Sequence, residues 1–341
     1  MYYFCLTMNV FMKMKKIAIF ITIIIIFIAC NQEKEKNDYT LQGFVFGTSY
    51  KITYLNAKQN YQKSLDSLFF LVNKSTSTYI PTSDISKINI GDSTVVVDAI
   101  FSEVFKKSKR IYKETNGFFD PTVGNLVNAY GFGPKKELKN LTNEEVAHEM
   151  QYVGLDKITL LENRIVKEDS KVYLDFNSIA KGFAIDVVAR FFDHKKVTNY
   201  LIEIGGEIRA KGAKKENEPW LIKLVNPVKS NSNDGYKTIN LSNKSMATSG
   251  NYRKFRISKG GKKYVHTVNP KTGFATESNL LSASVIANTD CADVDAYATA
   301  FMAMGLERAK SYLKNNTELE VILLFSDNKG KVKEFSTYTY N

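Results

Sequence analysis

Near its C-terminus the chain reads Cys291-Ala-Asp-Val-Asp-Ala-Tyr-Ala-Thr-Ala-Phe-Met-Ala-Met-Gly305, an apolar helical pattern carrying two carboxylates and a hydroxyl. Asp295 and Thr299 stand four residues apart, so on a helix their oxygens project from one face, a turn apart. An uncompensated carboxylate among Ala, Phe and Met costs on the order of several kcal/mol unless a cation or hydrogen-bond donors meet it. A hard cation with oxygen ligands meets it well. An amphipathic helix with one wet edge explains the same pattern, and this segment alone leaves both readings open. Asp293, two residues before Asp295, points elsewhere on a helix and is set aside.

Three further segments carry candidate chemistry. Asp175-Phe-Asn-Ser-Ile-Ala-Lys-Gly-Phe-Ala-Ile-Asp186 takes a strand directly into a helix, where free amides favour an anion and Lys181 occupies a first turn that usually prefers acids. A routine turn capped by Asn177 or Ser178 reads the same way. Residues 115–134 interleave glycines with Phe118, Phe119, Tyr130 and Phe132, which suits a loop bent round a flat ring system or one packed on the core. Glu203-Ile-Gly-Gly-Glu207 places Gly205 and Gly206 between strands, for close approach of a ligand or for a tight hairpin.

His266 lies in a strand that enters the Pro-containing turn ending at Gly273, where a ligand contact and a structural hydrogen bond are both open to it. The other histidines, His148 and His194, fall on expected helices, and no pair has metal-binding spacing, which argues against zinc. Neither a Gly-x-Gly-x-x-Gly after a strand nor a Walker-type Gly-x-x-x-x-Gly-Lys-Ser/Thr occurs, so the two commonest nucleotide cradles are absent.

These segments need a scaffold, and 341 residues at 44% hydrophobic and 12% aromatic bury one large core or two ordinary ones. A strand over 44–55 and helices over 61–73 and 99–114 open the pattern. Thr142-Asn-Glu-Glu145 reads as a capping box starting a short helix. Strands are expected over 157–161, 164–167 and 172–174, then a helix over 178–192. Further strands follow over 200–204, 207–211, 220–225, 238–241, 252–257, 263–268 and 282–287, with polar loops over 214–219 and 229–236. Consecutive strands without intervening helices predict an α+β fold with largely antiparallel mixed sheets flanked by helices. No internal repeat or clear interdomain linker stands out.

The N-terminus carries an address. Lys13, Lys15 and Lys16 precede an apolar run over 17–29 that ends at Cys30, with Met12 and Met14 as alternative starts. The run falls short of the roughly 20 residues that span a bilayer. Phe27-Ile-Ala-Cys30 resembles a bacterial lipobox, with Phe27 where Leu is usual, so residues 1–29 are expected to be a signal peptide, Cys30 the lipidated residue and 30–38 a polar tether to a domain over 39–341. Removing 1–29 takes away three lysines and no acids, which lowers the formal charge from +12 to +9. The envelope is thus the expected location, with the periplasmic side favoured and nucleic acid not a partner. Of three cysteines, Cys5 goes with the signal and Cys30 takes lipid, leaving Cys291 as a packing residue.

Eight segments, taken in order, resemble the ApbE family, the FAD:protein FMN transferases. They are Phe46-Gly-Thr-Ser-Tyr50; Ser77-Thr-Tyr79 with Asp84 to Asn89; Gly117 to Gly124 with Gly131-Phe-Gly-Pro134; Ser178-Ile-Ala-Lys-Gly182 with Asp186; Glu203 to Glu207; Ala247 to Arg253; His266 to Gly273; and Asp295-Ala-Tyr-Ala-Thr299. The resemblance implies an FAD cleft between two halves of the domain, with Phe46 and Tyr79 beside the flavin and Phe118, Phe119 and Asp120 beside the adenine. The pyrophosphate would lie at the Ala180-Lys181 helix start, and Asn177, Phe183, Gly205, Gly206, Glu207 and His266 complete the implied FAD contacts. A magnesium site is implied at the Ala180 backbone oxygen, the Asp295 carboxylate and the Thr299 hydroxyl.

The implied reaction transfers the FMN moiety of FAD to a threonine hydroxyl of an acceptor protein and releases AMP. Asp295, His266 and Lys181 are the implied catalytic residues, with His266 orienting the pyrophosphate or aiding proton transfer. Implied acceptors are exported or membrane redox subunits of the quinone-reductase or electron-transfer type. Family members often carry Met at the place of Phe46 and Asp at that of Asn269, so Asn269 receives no catalytic role. An FAD-holding lipoprotein without transfer activity and an Mg²⁺-dependent FAD pyrophosphatase use the same pocket and stay open here.

Overall fold

The computed structural model describes Met14 and residues 37–134, 141–225, 235–251, 255–257, 263–275 and 278–340. The first half contains β1 (Asn37–Val45), β2 (Thr48–Ala57), α1 (Gln62–Thr76), α2 (Asp84–Asn89), α3 (Ala99–Glu114), α4 (Gly124–Ala129) and α5 (Asn143–Met150). Next come β3 (Ile158–Leu161), β4 (Arg164–Lys167), α6 (Ala180–His194), β5 (Tyr200–Ile204), β6 (Glu207–Lys211), β7 (Trp220–Val225) and β8 (Gly235–Leu241). The remainder contains β9 (Lys244–Gly250), β10 (Phe255–Ile257), β11 (Lys263–Val265), β12 (Leu280–Ala287), α7 (Cys291–Met304), α8 (Leu306–Leu313), β13 (Glu320–Ser326) and β14 (Val332–Ser336).

Eight strands join one sheet in the order β1-β2-β5-β6-β9-β12-β13-β14, every neighbouring pair antiparallel. The α+β, largely antiparallel class expected from the sequence is the class observed. Side-chain patterning explains the layers. β7 alternates buried and wet residues because it covers the sheet from outside, whereas β12 is buried at nearly every position because both its faces are covered. The main core lies between the sheet and the helices, with Ile52, Phe101, Phe183, Phe192, Ile202 and Phe301 within it. On the opposite face the β7–β8 hairpin buries Trp220, Ile222 and Leu241 against Ile208 and Ile286. A smaller cluster, including Leu126, Tyr130, Val146 and Val268, ties α4 and α5 to the segment after β11.

Local signals account for the helix ends. Asp98 caps α3 by accepting the Phe101 amide, and the Thr142–Glu145 capping box opens α5 as read from the sequence. The single strand expected over 44–55 is instead a hairpin. Val45 pairs with Thr48, and Phe46 (φ 53°) with Gly47 (φ 72°) makes a two-residue turn with both φ positive. The alternating pattern runs straight through that turn, and Phe is not a usual turn residue, so periodicity alone could not find it. Residues 172–174 form no strand; only an isolated parallel bridge joins Tyr173 to Val123. β9, β13, β14, α2, α4 and α8 are additions to the expected elements.

Residues 15–36, which hold Cys30, the apolar run and most of the tether, lie outside the described residues, as do 252–254 and 226–234. Among the described residues no helix is long and apolar enough to cross a membrane.

Candidate active site

Helix α7 is not the amphipathic helix with a wet edge that its sequence allowed. Between Cys291 and Ala300 only Thr299 keeps partial exposure, and both carboxylates are buried. The two acids are compensated very differently. Asp293 faces α3, where Lys107 Nζ and Arg110 Nη2 approach its oxygens at 3.0 and 2.7 Å and the Thr289 hydroxyl donates at 3.1 Å. Asp295 turns toward α6. It accepts the Gly182 amide at 3.1 Å, and its nearest ammonium, Lys181 Nζ, is 3.9 Å away.

That geometry begins with the first turn of α6. A Cβ on Gly182 would meet the Cys291 carbonyl oxygen at 2.4 Å and the Ala292 nitrogen at 2.7 Å, so only glycine lets the two helix starts touch. Across from them, Gly205 (φ 66°) and Gly206 (φ 104°) form the two-residue turn between β5 and β6, for Ile204 pairs with Glu207. The turn delivers Glu207, whose Oε1 lies 3.1 Å from Lys181 Nζ. It also lies against the β1–β2 hairpin, since the Gly205 amide donates to the Ser49 carbonyl at 3.0 Å and a Gly205 Cβ would meet Thr48. Phe46 at that hairpin packs edge-on to Phe69.

Burial pushes the Glu207 carboxyl up to about 7 and raises that of Asp295, in both cases against the pull of Lys181. Burial works against the Lys181 ammonium too, but Asp295 and Glu207 outweigh it and keep it charged. The cluster therefore gathers two buried carboxyl groups round one ammonium, and burial favours the neutral form of each carboxyl. Glu207 Oε2 is buried with no hydrogen-bond partner among the described residues. Two buried carboxyls, one with an oxygen lacking a hydrogen-bond partner, are oxygen donors whose ionised form a hard cation would favour, and Thr299 adds a hydroxyl 3.2 Å from that of Ser249. No group of three or more His, Cys, Asp or Glu gathers among the described residues, so a cage of side chains alone is absent. Mg²⁺ needs none, because it keeps water and phosphate oxygens in its shell. The residues present fit it.

A second set of residues leads into the same helix start. The Asn177 amide nitrogen of the side chain lies 3.3 Å from Thr78 Oγ1, beside half-exposed Tyr79, whose hydroxyl donates to the Phe132 carbonyl at 3.1 Å. His266 stands edge-on to Phe132 with ring centres 6.3 Å apart. Phe118 is half-buried, with Lys271 and Arg308 over its ring at 5.8 and 5.6 Å. Phe119 and Phe183 belong to the main core, so of the predicted aromatic contacts they are the two without free surface. Asn269 uses its side chain to accept the Lys271 amide and to reach the Ala303 carbonyl, which gives it a turn-fixing place. Cys291 is fully buried, and burial raises its thiol, as suits a packing residue.

Two buried carboxyls line this approach, Asp120 and Asp175, and burial raises each to about 6 against hydrogen bonds from Thr122 and Asn177 respectively. Sequence reading gave Asp175 no role. Because its folded value lies above 3.8, the folded state keeps the proton while the unfolded chain ionises, so its contribution to stability is lost as pH rises from about 4 to about 6. Asp175→Asn should therefore be more stable than the parent at pH 7.5 by roughly 2 kcal/mol, with the difference vanishing near pH 4. Denaturant melts at the two pH values measure it, and a pH-independent difference would contradict the burial argument.

Other sites are poorer. A groove of about 410 Å³ lined by Thr53, Leu55, Lys214, Lys215, Glu218 and Trp220 opens at the Tyr200 end of β5, away from the Gly205 turn, and gathers no carboxylate pair. Ser249, the hydroxyl neighbour of Thr299, also went unassigned in the sequence, because its place depends on β9 pairing with β12.

The helix-covered antiparallel sheet is shared with solved flavin transferases. One from Vibrio cholerae superposes with a TM-score of 0.77 at 31% identity, covering 88% of this chain and 97% of that one. The apo flavinyl transferase from Pseudomonas stutzeri gives 0.78 at 25% identity, covering 89% and 95%. Residues 46–323 match the model of the ApbE family, and the FAD:protein FMN transferase of Haemophilus influenzae is 33% identical over 320 residues, 90% of this chain and 92% of its own. The chain belongs to the ApbE family.

Proposed function

We propose that this protein transfers the FMN moiety of FAD to a threonine hydroxyl of an acceptor protein, with Mg²⁺ held by Asp295, Thr299 and the Ala180 carbonyl. The FAD:protein FMN transferase activity is that of its named relatives. The observation that carries the metal reading is the under-compensated, buried Asp295 at the first turn of α6. Bound Mg²⁺ would supply charge neutralisation at the pyrophosphate.

The chain's own residues do the rest. The α6 amides and Lys181 receive the anionic pyrophosphate, and the glycine turn at 205–206 lets it approach the backbone closely. Tyr79 and Phe46 wall the flavin, and Phe118 takes the adenine end. The acceptor hydroxyl oxygen attacks the FMN-side phosphorus in line with the AMP oxygen; the new O–P bond forms as the P–O–P bridge breaks, AMP leaves, and the hydroxyl proton passes to solvent. His266, on the aromatic side beside Phe132, orients the FMN half. His266→Gln should therefore raise the KM for FAD about tenfold while kcat falls less. A fall in kcat with KM unchanged would reassign it to proton transfer.

The test of the activity is direct. The protein is incubated with FAD, Mg²⁺ and an acceptor domain bearing a Ser/Asp-Gly-Ala-Thr-like segment, and the acceptor is weighed by mass spectrometry. An FMN adduct on the threonine is the expected result; FMN and AMP without an adduct would mean hydrolysis, and intact FAD would mean storage. The proposed place of work is the bacterial envelope outside the cytoplasm, through a lipid on Cys30, with exported or membrane-bound redox subunits as acceptors.

A further inference from the structure

Helix α7 begins without a cap of its own. Asp290 precedes it, yet its side chain accepts none of the first-turn amides. Asp186 accepts them instead, from one turn along α6: its Oδ1 takes the Cys291 amide at 2.7 Å and its Oδ2 the Ala292 amide at 2.9 Å. Asp186 is fully buried, and Arg209 Nη1 holds it at 2.8 Å while reaching Asp290 at 3.0 Å. Asp290 is gripped in turn by Lys107 and Arg190 at 2.9 and 3.0 Å.

The spacing matters more than the capping. On α6, Gly182 and Asp186 are one turn apart; on α7, Cys291 and Asp295 are one turn apart. Gly182 meets Asp295 where Asp186 meets Cys291, so two contacts a turn apart fix the two helices against sliding or rotating past each other. Charge-assisted bonds to buried amides are the strong class, and a bidentate pair adds direction to strength. Mg²⁺ tolerates little error in ligand placement.

We infer that Asp186 is a positioning residue for the proposed metal site, setting the register of α7 on α6 and with it the place of Asp295 and Thr299 relative to the first turn of α6. The inference rests on the Mg²⁺ reading above. Removing one oxygen of the clamp weakens metal binding without touching a ligand, as loss of an outer partner of a metal ligand does.

The experiment titrates Mg²⁺ alone into purified protein and follows Tm, with the Mg²⁺ dependence of transfer rate alongside. Asp186→Asn should raise the half-saturating Mg²⁺ about tenfold in both readouts. Val188→Ala, a buried truncation on the same helix, should lower Tm yet leave that midpoint in place. If Asp186→Asn does not fold, Arg209→Gln removes the guanidinium behind the clamp and should raise the midpoint about threefold by the same mechanism. A parental midpoint in the Asp186 variant, or in the Arg209 variant where only that one folds, overturns the inference, as does an equal rise in Val188→Ala. A parent whose Tm ignores Mg²⁺ would instead sink the metal reading itself, and the positioning role with it.

Discussion

Asp295→Asn should lower the rate of Mg²⁺-dependent FMN transfer by on the order of 10³-fold and leave the protein as stable as the parent or more so. The two halves of that expectation have one cause. In the folded protein Asp295 is buried and raised by desolvation, with a single amide bond and a distant ammonium in return. Asparagine keeps an acceptor for the Gly182 amide, and Lys181 retains Glu207 at 3.1 Å, so folding loses little and sheds a desolvation cost. Activity loses the carboxylate proposed to hold the metal. Initial rates across a Mg²⁺ series, together with a thermal melt, decide the matter: parental rates would remove the metal role, and a collapse in Tm would make the residue structural.

Gly182→Ala should fail in the opposite manner, losing stability and activity together. In an ordinary helix the change would help by about 1 kcal/mol. Here the added methyl meets backbone atoms of Cys291 and Ala292 at 2.4 to 2.7 Å, and backbone in a capped helix start has nowhere to go. Overpacking of this kind costs about 2–3 kcal/mol net, a fall in Tm of several degrees. Parting the helices also lengthens the Gly182–Asp295 contact, and a displacement of about 1 Å at such a site costs on the order of 10²-fold in rate. A variant with raised Tm would show that α6 and α7 do not touch as described.

The legibility of this chain followed the range of each interaction. Helix α3 and the capping box of α5 were readable because their signals lie within a turn or two of the elements they set. Strands β5 and β7 were readable from alternation, since every second residue of each is buried. The β1–β2 turn escaped because Phe46 adopts a positive φ that its residue type does not advertise. Strand β9 escaped because Lys-Ser-Met-Ala-Thr-Ser-Gly is held by neighbours on both sides rather than by its own propensity.

For the site, spacing alone placed Asp295 and Thr299 on one face of a helix and separated Asp293 from them. It left a wet edge and a metal pair both open, with the wet edge the commoner case. Burial removed the wet edge, and only the packed protein shows how closely each carboxylate is met by cations. Asp293 has two on α3, whereas Asp295 has an amide and an ammonium at 3.9 Å. The role of Asp186 was likewise invisible in the chain, where it lies more than a hundred residues from the amides it holds. Residue type and local period determine which groups share a face; the free energy of a buried charge depends on what the fold sets within a few ångströms of it, and that belongs to the tertiary structure alone.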